Sequence, residues 1–153
     1  MMSSTIIVGK VTDAHAYLSN DQSDIYSEFT LCIDQVLKNG GDSAVRPGDS
    51  ISVERKGGRL RFPSGKVVAS ITNHQQLPRV GRRYVLFLTH AFPMGGEIPD
   101  FYILTGYELT NSHVYPLDTV APTHPFNIYK GVDESVFLSE LRDAIASTTS
   151  LVR

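Results

Sequence analysis

The stretch Leu77-Pro-Arg-Val-Gly-Arg-Arg-Tyr-Val-Leu-Phe-Leu88 decides how the chain folds, because a basic lead-in punctuated by Pro78 and Gly81 runs into the most apolar segment of the sequence. A strand has a side-chain period of two, so Tyr84, Leu86 and Leu88 fall on one face and Val85 and Phe87 on the other. Both faces are apolar, which predicts a central strand covered on both sides. The run is short and rich in β-branched and aromatic residues, which favours strand over helix. One face should enter a barrel or sandwich core and the other needs a cover. Truncating Phe87 to alanine should then cost about 3–5 kcal/mol.

The cover is found near the end of the chain. Asp133 reads as a helix N-cap, with Val132 before it and Phe137 four residues after it forming a hydrophobic staple. Phe137, Leu138, Leu141 and Ile145 follow at helical spacing, while Glu134, Glu140 and Arg142 stay off that stripe.

Working back to the start, Ile6–Val11 opens a long strand through Leu18, and Gly9 within it marks a bulge or a bend at a barrel corner. Ser19–Asp24 is a polar hairpin tip. Residues Ile25, Ser27, Phe29, Leu31 and Ile33 then alternate with Tyr26, Glu28, Thr30, Cys32 and Asp34, until Val36 and Leu37 break the parity as an inserted residue near Asp34-Gln35 would. Arg46-Pro47-Gly48-Asp49 has the order of a type II turn and launches a strand with Ile51 and Val53 inward and Ser52 and Glu54 outward. Short strands are expected at Arg59–Phe62, Lys66–Ile71, Phe101–Leu109 and His113–Tyr115. The prolines and paired glycines of Thr89–Asp100 predict a long surface loop.

These elements describe a mainly β chain: a small OB-like Greek-key barrel with a C-terminal amphipathic helix packed on it. At 153 residues it reads as one domain, with the barrel over about 5–116, an irregular linker over 117–131 and the helix over about 133–147. The long first hairpin, the Val36-Leu37-Lys38 ending, the Pro47-Gly48 turn before Ile51-Ser52-Val53, and Val80-Gly81 before Tyr84–Leu88 resemble the OB-type barrel. More specifically they resemble its netrin-like branch, which includes the tissue inhibitors of metalloproteinases, and a set of uncharacterised bacterial proteins of similar pattern. In that bacterial set such domains often stand behind an export signal, so the resemblance implies a secreted or periplasmic setting if a leader preceded Met1. Inhibitors of that family chelate zinc through an amino-terminal cysteine and are disulfide-rich, whereas this chain starts Met-Met-Ser-Ser and has only Cys32. Nor does Lys66–Pro78 show the helix that the OB pattern often places there.

Charge is segregated along the sequence. Arg46, Arg55, Lys56, Arg59, Arg61, Lys66, Arg79, Arg82 and Arg83 stand against only Asp49 and Glu54 in the middle of the chain, although the whole carries a net charge of −2. A solvated face of edge strands would give this pattern, and so would a phosphate-binding surface. No stretch reaches the roughly 20 apolar residues of a membrane-spanning helix.

Enzyme chemistry has no local support. His15, His74, His90, His113 and His124 lie one per segment without metal-ligand spacing, so no metal or other cofactor is expected. No Gly-x-Ser-x-Gly turn frames a serine, and Cys32 lacks a nearby histidine. Asp21 and Asp24 lack the rest of a calcium loop, and Glu97 and Asp100 border a loop as solvated carboxylates do. Two function classes remain. One is a noncatalytic binding module, with a protein or saccharide partner at a barrel face or the Thr89–Asp100 loop. The other is an oligonucleotide-binding barrel in which Arg55, Lys56, Arg59, Arg61, Arg82 and Arg83 hold phosphates.

Overall fold

The fold was obtained as a computed structural model that describes residues 4–19, 21–40, 44–70, 74–91, 100–119 and 122–151. The expected Thr89–Asp100 loop, with Glu97, lies mostly outside them. Among the described residues eight strands form: β1 (Thr5–Leu18), β2 (Ile25–Lys38), β3 (Ser50–Lys56), β4 (Gly58–Arg61), β5 (Val67–Ser70), β6 (Arg83–His90), β7 (Phe101–Thr110) and β8 (His113–Pro116). A 3₁₀ turn at Pro125–Tyr129 and the helix α1 (Glu134–Leu151) complete the described elements.

Six of the strands make one sheet in the order β3-β2-β1-β6-β7-β8. It closes through a short parallel pairing of β3 with β7, Val53 opposite Phe101 and Glu54 opposite Tyr102. Strands β1, β2, β3, β6 and β7 therefore make a small barrel-like sheet, with β8 carried outside on β7. Where the expected OB pattern often has a helix between its third and fourth barrel strands, this chain has the β4–β5 hairpin, a separate two-stranded sheet.

Bulges let the long first hairpin bend around the barrel. Register slips past Asp34 and again past Leu37 on β2, and past Thr12 on β1, so the parity break near Asp34-Gln35 is a bulge as expected. Gly9 sits at the first of these, where a Cβ would come within 2.9 Å of the Cys32 carbonyl oxygen. The Arg46–Asp49 turn closes with an Asp49 N–H bond to the Arg46 carbonyl at 3.0 Å. Gly48 takes its positive φ of 91°, the conformation that position i+2 of a type II turn demands.

The two faces of β6 behave as the alternation predicts. Tyr84, Leu86 and Leu88 join Ile7, Val11, Phe29, Leu31, Ile33 and Val53 inside the barrel. Val85 and Phe87 face outward with Ile6, Val8, Tyr107 and Val114 beneath Phe137 and Leu138 of α1, with Leu141 and Ile145 alongside. Phe87 itself is only half-buried, between the rings of Tyr107 and Phe126. Its truncation should cost less than the full-core value, because part of the ring already meets water.

The segment expected to be an irregular linker is more ordered than that. Leu117 belongs to the barrel core, the Gly131 N–H and the Val132 carbonyl both bond Val114 of β8, and the 3₁₀ turn adds Phe126 and Tyr129 to the outer cluster. The helix also runs past Ser147 to Leu151. Its start is as predicted: Asp133 Oδ1 accepts from the Ser135 and Val136 N–H groups at 2.9 and 3.4 Å. The bond from the Ser135 hydroxyl, and then those two N–H bonds, hold the Asp133 carboxyl below its ordinary range. A depressed folded-state value means the ionised cap stabilises at neutral pH, and this contribution is lost as pH falls through that value. Asp133→Ala should therefore lower the Tm near neutrality, with the gap to the parent closing in strong acid, as thermal melts across pH would show.

Candidate functional site, the outer face of β1, β2, β3 and β7

The six basic residues proposed as phosphate contacts differ in burial and in their partners. Arg55 continues the inward parity of Ile51 and Val53, and its side chain is 3% exposed at one end of the barrel. It grips Asp118 through two bonds of 2.7 and 2.8 Å and also donates to the Gln76 and Leu104 carbonyls. Its guanidinium is thus engaged inside the chain rather than presented to solvent. Lys56 pairs with Asp24 at 3.4 Å, Arg82 with Glu108 at 2.6 Å, and Arg83 with both Asp34 and Glu134 at 3.4 and 3.2 Å. Arg83 thereby ties α1 to the barrel. Arg59 and Arg61 stand exposed on the β4–β5 hairpin.

The histidines stay apart as well. His90 Nε2 meets the Gly40 carbonyl at 2.9 Å, His113 Nδ1 meets the Asn111 carbonyl at 2.6 Å, and His124 caps the 3₁₀ turn through Nδ1. Cys32 is exposed on the polar face of β2. Asp100 accepts from the Ser52 N–H at 2.8 Å and borders a cleft of about 310 Å³ that His90, Phe101, Ile51 and Asp49 also line. The polar groups of that cleft are engaged within the chain, Asp49 Oδ2 accepting from the Arg46 N–H at 2.9 Å.

A different cluster emerges on the outer face of the barrel. The register sets His15 opposite Glu28, Glu28 opposite Glu54, and Glu54 opposite Tyr102, in a row across β1, β2, β3 and β7. The next row holds Tyr17, Tyr26 and Lys56. Tyr17 and Tyr26 stack with centroids 6.2 Å apart, and His15 lies 6.3 Å from Tyr17. The Tyr17 hydroxyl donates to Glu54 Oε2.

Outward parity at Glu54 was expected, but not its burial: the residue is only 4% exposed. Tyr17, Tyr26, Glu28 and Tyr102 around it are half-buried. Burial pushes the Glu54 carboxyl above its ordinary value and the Glu28 charge adds to the rise, while the bond from Tyr17 opposes it. The Tyr17 hydroxyl is pushed well up, first by burial and then by its bond to Glu54 and the Glu54 and Glu28 charges. Tyr102 is raised by burial and by Glu54.

The sign for stability follows. A raised native-state value means the folded chain holds the Glu54 proton where the unfolded chain has lost it, so this group's contribution weakens as pH rises from the ordinary glutamate range through its folded value. Glu54→Gln should flatten that part of the pH profile and leave the protein at least as stable at neutral pH. Urea unfolding at a series of pH values would check it; a variant clearly less stable at neutral pH would show the ionised carboxylate to be a net stabiliser.

Comparison with models of known protein families gives no match, and comparison with curated proteins gives none either. Among the described residues, no helix is long and apolar enough to cross a membrane.

Proposed function

We propose that this chain is a noncatalytic binding module of the OB type, in its netrin-like branch, and that its protein or saccharide partner meets the outer face of β1, β2, β3 and β7. One observation carries the reading: three half-buried tyrosines and two glutamates share a barrel face on which the described residues place no covering element. Tyrosine suits a contact surface, since it brings a large rigid ring and a polar tip at low entropic cost. The corresponding strands of OB barrels are where oligonucleotides and oligosaccharides are bound. The strand order and the parallel β3–β7 closure support the family assignment.

The oligonucleotide reading loses support because Lys56, Arg82 and Arg83 are paired with carboxylates and Arg55 is interior. The face that carries the tyrosines is acidic, and phosphates would be repelled there.

Backbone amide NMR spectra recorded during titration with a single-stranded oligonucleotide, a neutral oligosaccharide and a basic peptide would test the module reading. Saturable shifts on β1, β2, β3 and β7 with the saccharide or the peptide are expected. Tight, salt-sensitive oligonucleotide binding, or no response of this face to any probe, would overturn it.

A further inference from the structure

We infer that the partner of this face is a basic protein segment, whose lysine or arginine side chains lie against Tyr17, Tyr26 and Tyr102 and beside Glu28. The inference deepens the module reading and rests on it.

Glu28 and Glu54 are direct cross-strand neighbours, an arrangement of like charges that destabilises a sheet. The row before Glu54 brings Asp13 of β1, opposite Thr30, and Asp100, bonded to Ser52, and the rows at and after it bring the other titratable groups. His15 and Tyr17 come from β1, Tyr26 and Glu28 from β2, Lys56 from β3 itself and Tyr102 from β7. The one permanent cation among them, Lys56, is drawn away to Asp24 at 3.4 Å. Within this set Glu28 and Glu54 therefore lack a cationic counterpart, although Arg82 and Arg83 elsewhere in the barrel each have an acidic one. The Tyr17 hydroxyl bonds Glu54 but brings no charge, and a local rule left uncompensated by charge inside the chain fits a site completed from outside.

The chemistry of the missing component follows from what surrounds the carboxylates. Tyrosine rings attract a cation through their π faces. Glu28 is half-exposed and offers a surface ion pair, whereas Glu54 lies beneath the tyrosines and acts through its field, which a low-dielectric setting strengthens. The shape argues for a chain segment rather than a free amine. Four strands at their usual spacing span roughly 15 Å, wide enough for several side chains. The His15–Glu28–Glu54–Tyr102 row crosses all four, so the contact is a surface and not a pocket for one small ion.

The test is calorimetric titration of the full chain with blocked hexalysine, with blocked hexaglutamate as the control of opposite charge. Hexalysine should bind saturably, more weakly at physiological than at low salt, and hexaglutamate should not bind. Glu28→Gln should weaken hexalysine by about threefold, the scale of one surface ion pair. Tyr26→Ala should weaken it roughly threefold through the lost cation–π contact. Arg82→Gln, whose guanidinium is already paired with Glu108 of β7, should leave it unchanged. Thermal melts of each variant separate lost binding from lost fold. The inference is overturned if hexalysine does not bind, if hexaglutamate binds as well, or if Glu28→Gln, still folded, binds undiminished. Should a neutral oligosaccharide shift this face in the NMR titration while hexalysine does not, the inference fails and the module reading stands. If no probe moves the face, both fail.

Discussion

Replacing Arg55 with alanine is expected to cost about 3–5 kcal/mol of stability, the range for breaking a buried ion pair by removing one partner. The reason lies in what the guanidinium leaves behind. Asp118 accepts both of its bonds, and also accepts from the Thr105 hydroxyl at 2.8 Å and the Gln76 N–H at 3.1 Å. Without Arg55 its carboxylate would face the end of the barrel uncompensated, and the Leu104 and Gln76 carbonyls would each lose a donor. The Leu104 carbonyl is available to Arg55 because β7 bulges there: Phe87 pairs with Thr105 but Leu88 with Ile103, so Leu104 has no opposite number. Urea unfolding of Arg55→Ala, Asp118→Ala and the double variant closes a thermodynamic cycle. The double variant should lose much less than the two single losses combined. A loss below about 1 kcal/mol for Arg55→Ala would mean that the pair behaves as an exposed one.

A loss of similar size is expected from Phe137→Ala in α1, about 3–5 kcal/mol for a buried aromatic. Phe137 is 3% exposed, with its ring 4.8 Å from that of Tyr107 and 5.1 Å from that of Tyr129. Its removal would leave a void where the helix, β7 and the Pro125–Tyr129 turn meet, which is also where the outer face of β6 is sealed. Denaturant unfolding measures the loss, and the near-ultraviolet circular dichroism of Tyr107 and Tyr129 should change with it. Glu140→Ala, at an exposed position of the same helix, should stay within about 0.5 kcal/mol of the parent. If Phe137→Ala were equally mild, α1 would not be the cover that β6 requires.

How far the site was legible differs from residue to residue. The burial of Arg55 was written in the parity of its own strand: Ile51, Val53 and Arg55 are alternate residues, and the first two are plainly inward. Its charge points the other way, because a basic residue in a basic segment is ordinarily solvated. Its partner Asp118 is far away along the chain, in a segment with no periodicity, so nothing local announced the pair. The outer-face cluster was half visible. Tyr26 and Glu28 stood on the polar side of β2, but their neighbours come from β1, β3 and β7, and cross-strand register cannot be read from the composition of one strand. The bulge at Thr12 decides that His15 and Tyr17, rather than Ala14 and Ala16, face outward with Glu28 and Tyr26.

The sequence by itself determined the β class, the two-sided burial of Tyr84–Leu88, the bent first hairpin, the Pro47-Gly48 turn, and the capped helix that covers the barrel. Each is set by neighbours a few residues apart, through side-chain period, turn chemistry or capping, and such local physics survives without a fold. Only the tertiary structure decided that β3 and β7 close the barrel, that Arg55 seals one end through Asp118, and that two glutamates meet among three tyrosines. Those outcomes depend on which strands become neighbours and in what register, and that pairing is fixed by packing the whole core at once.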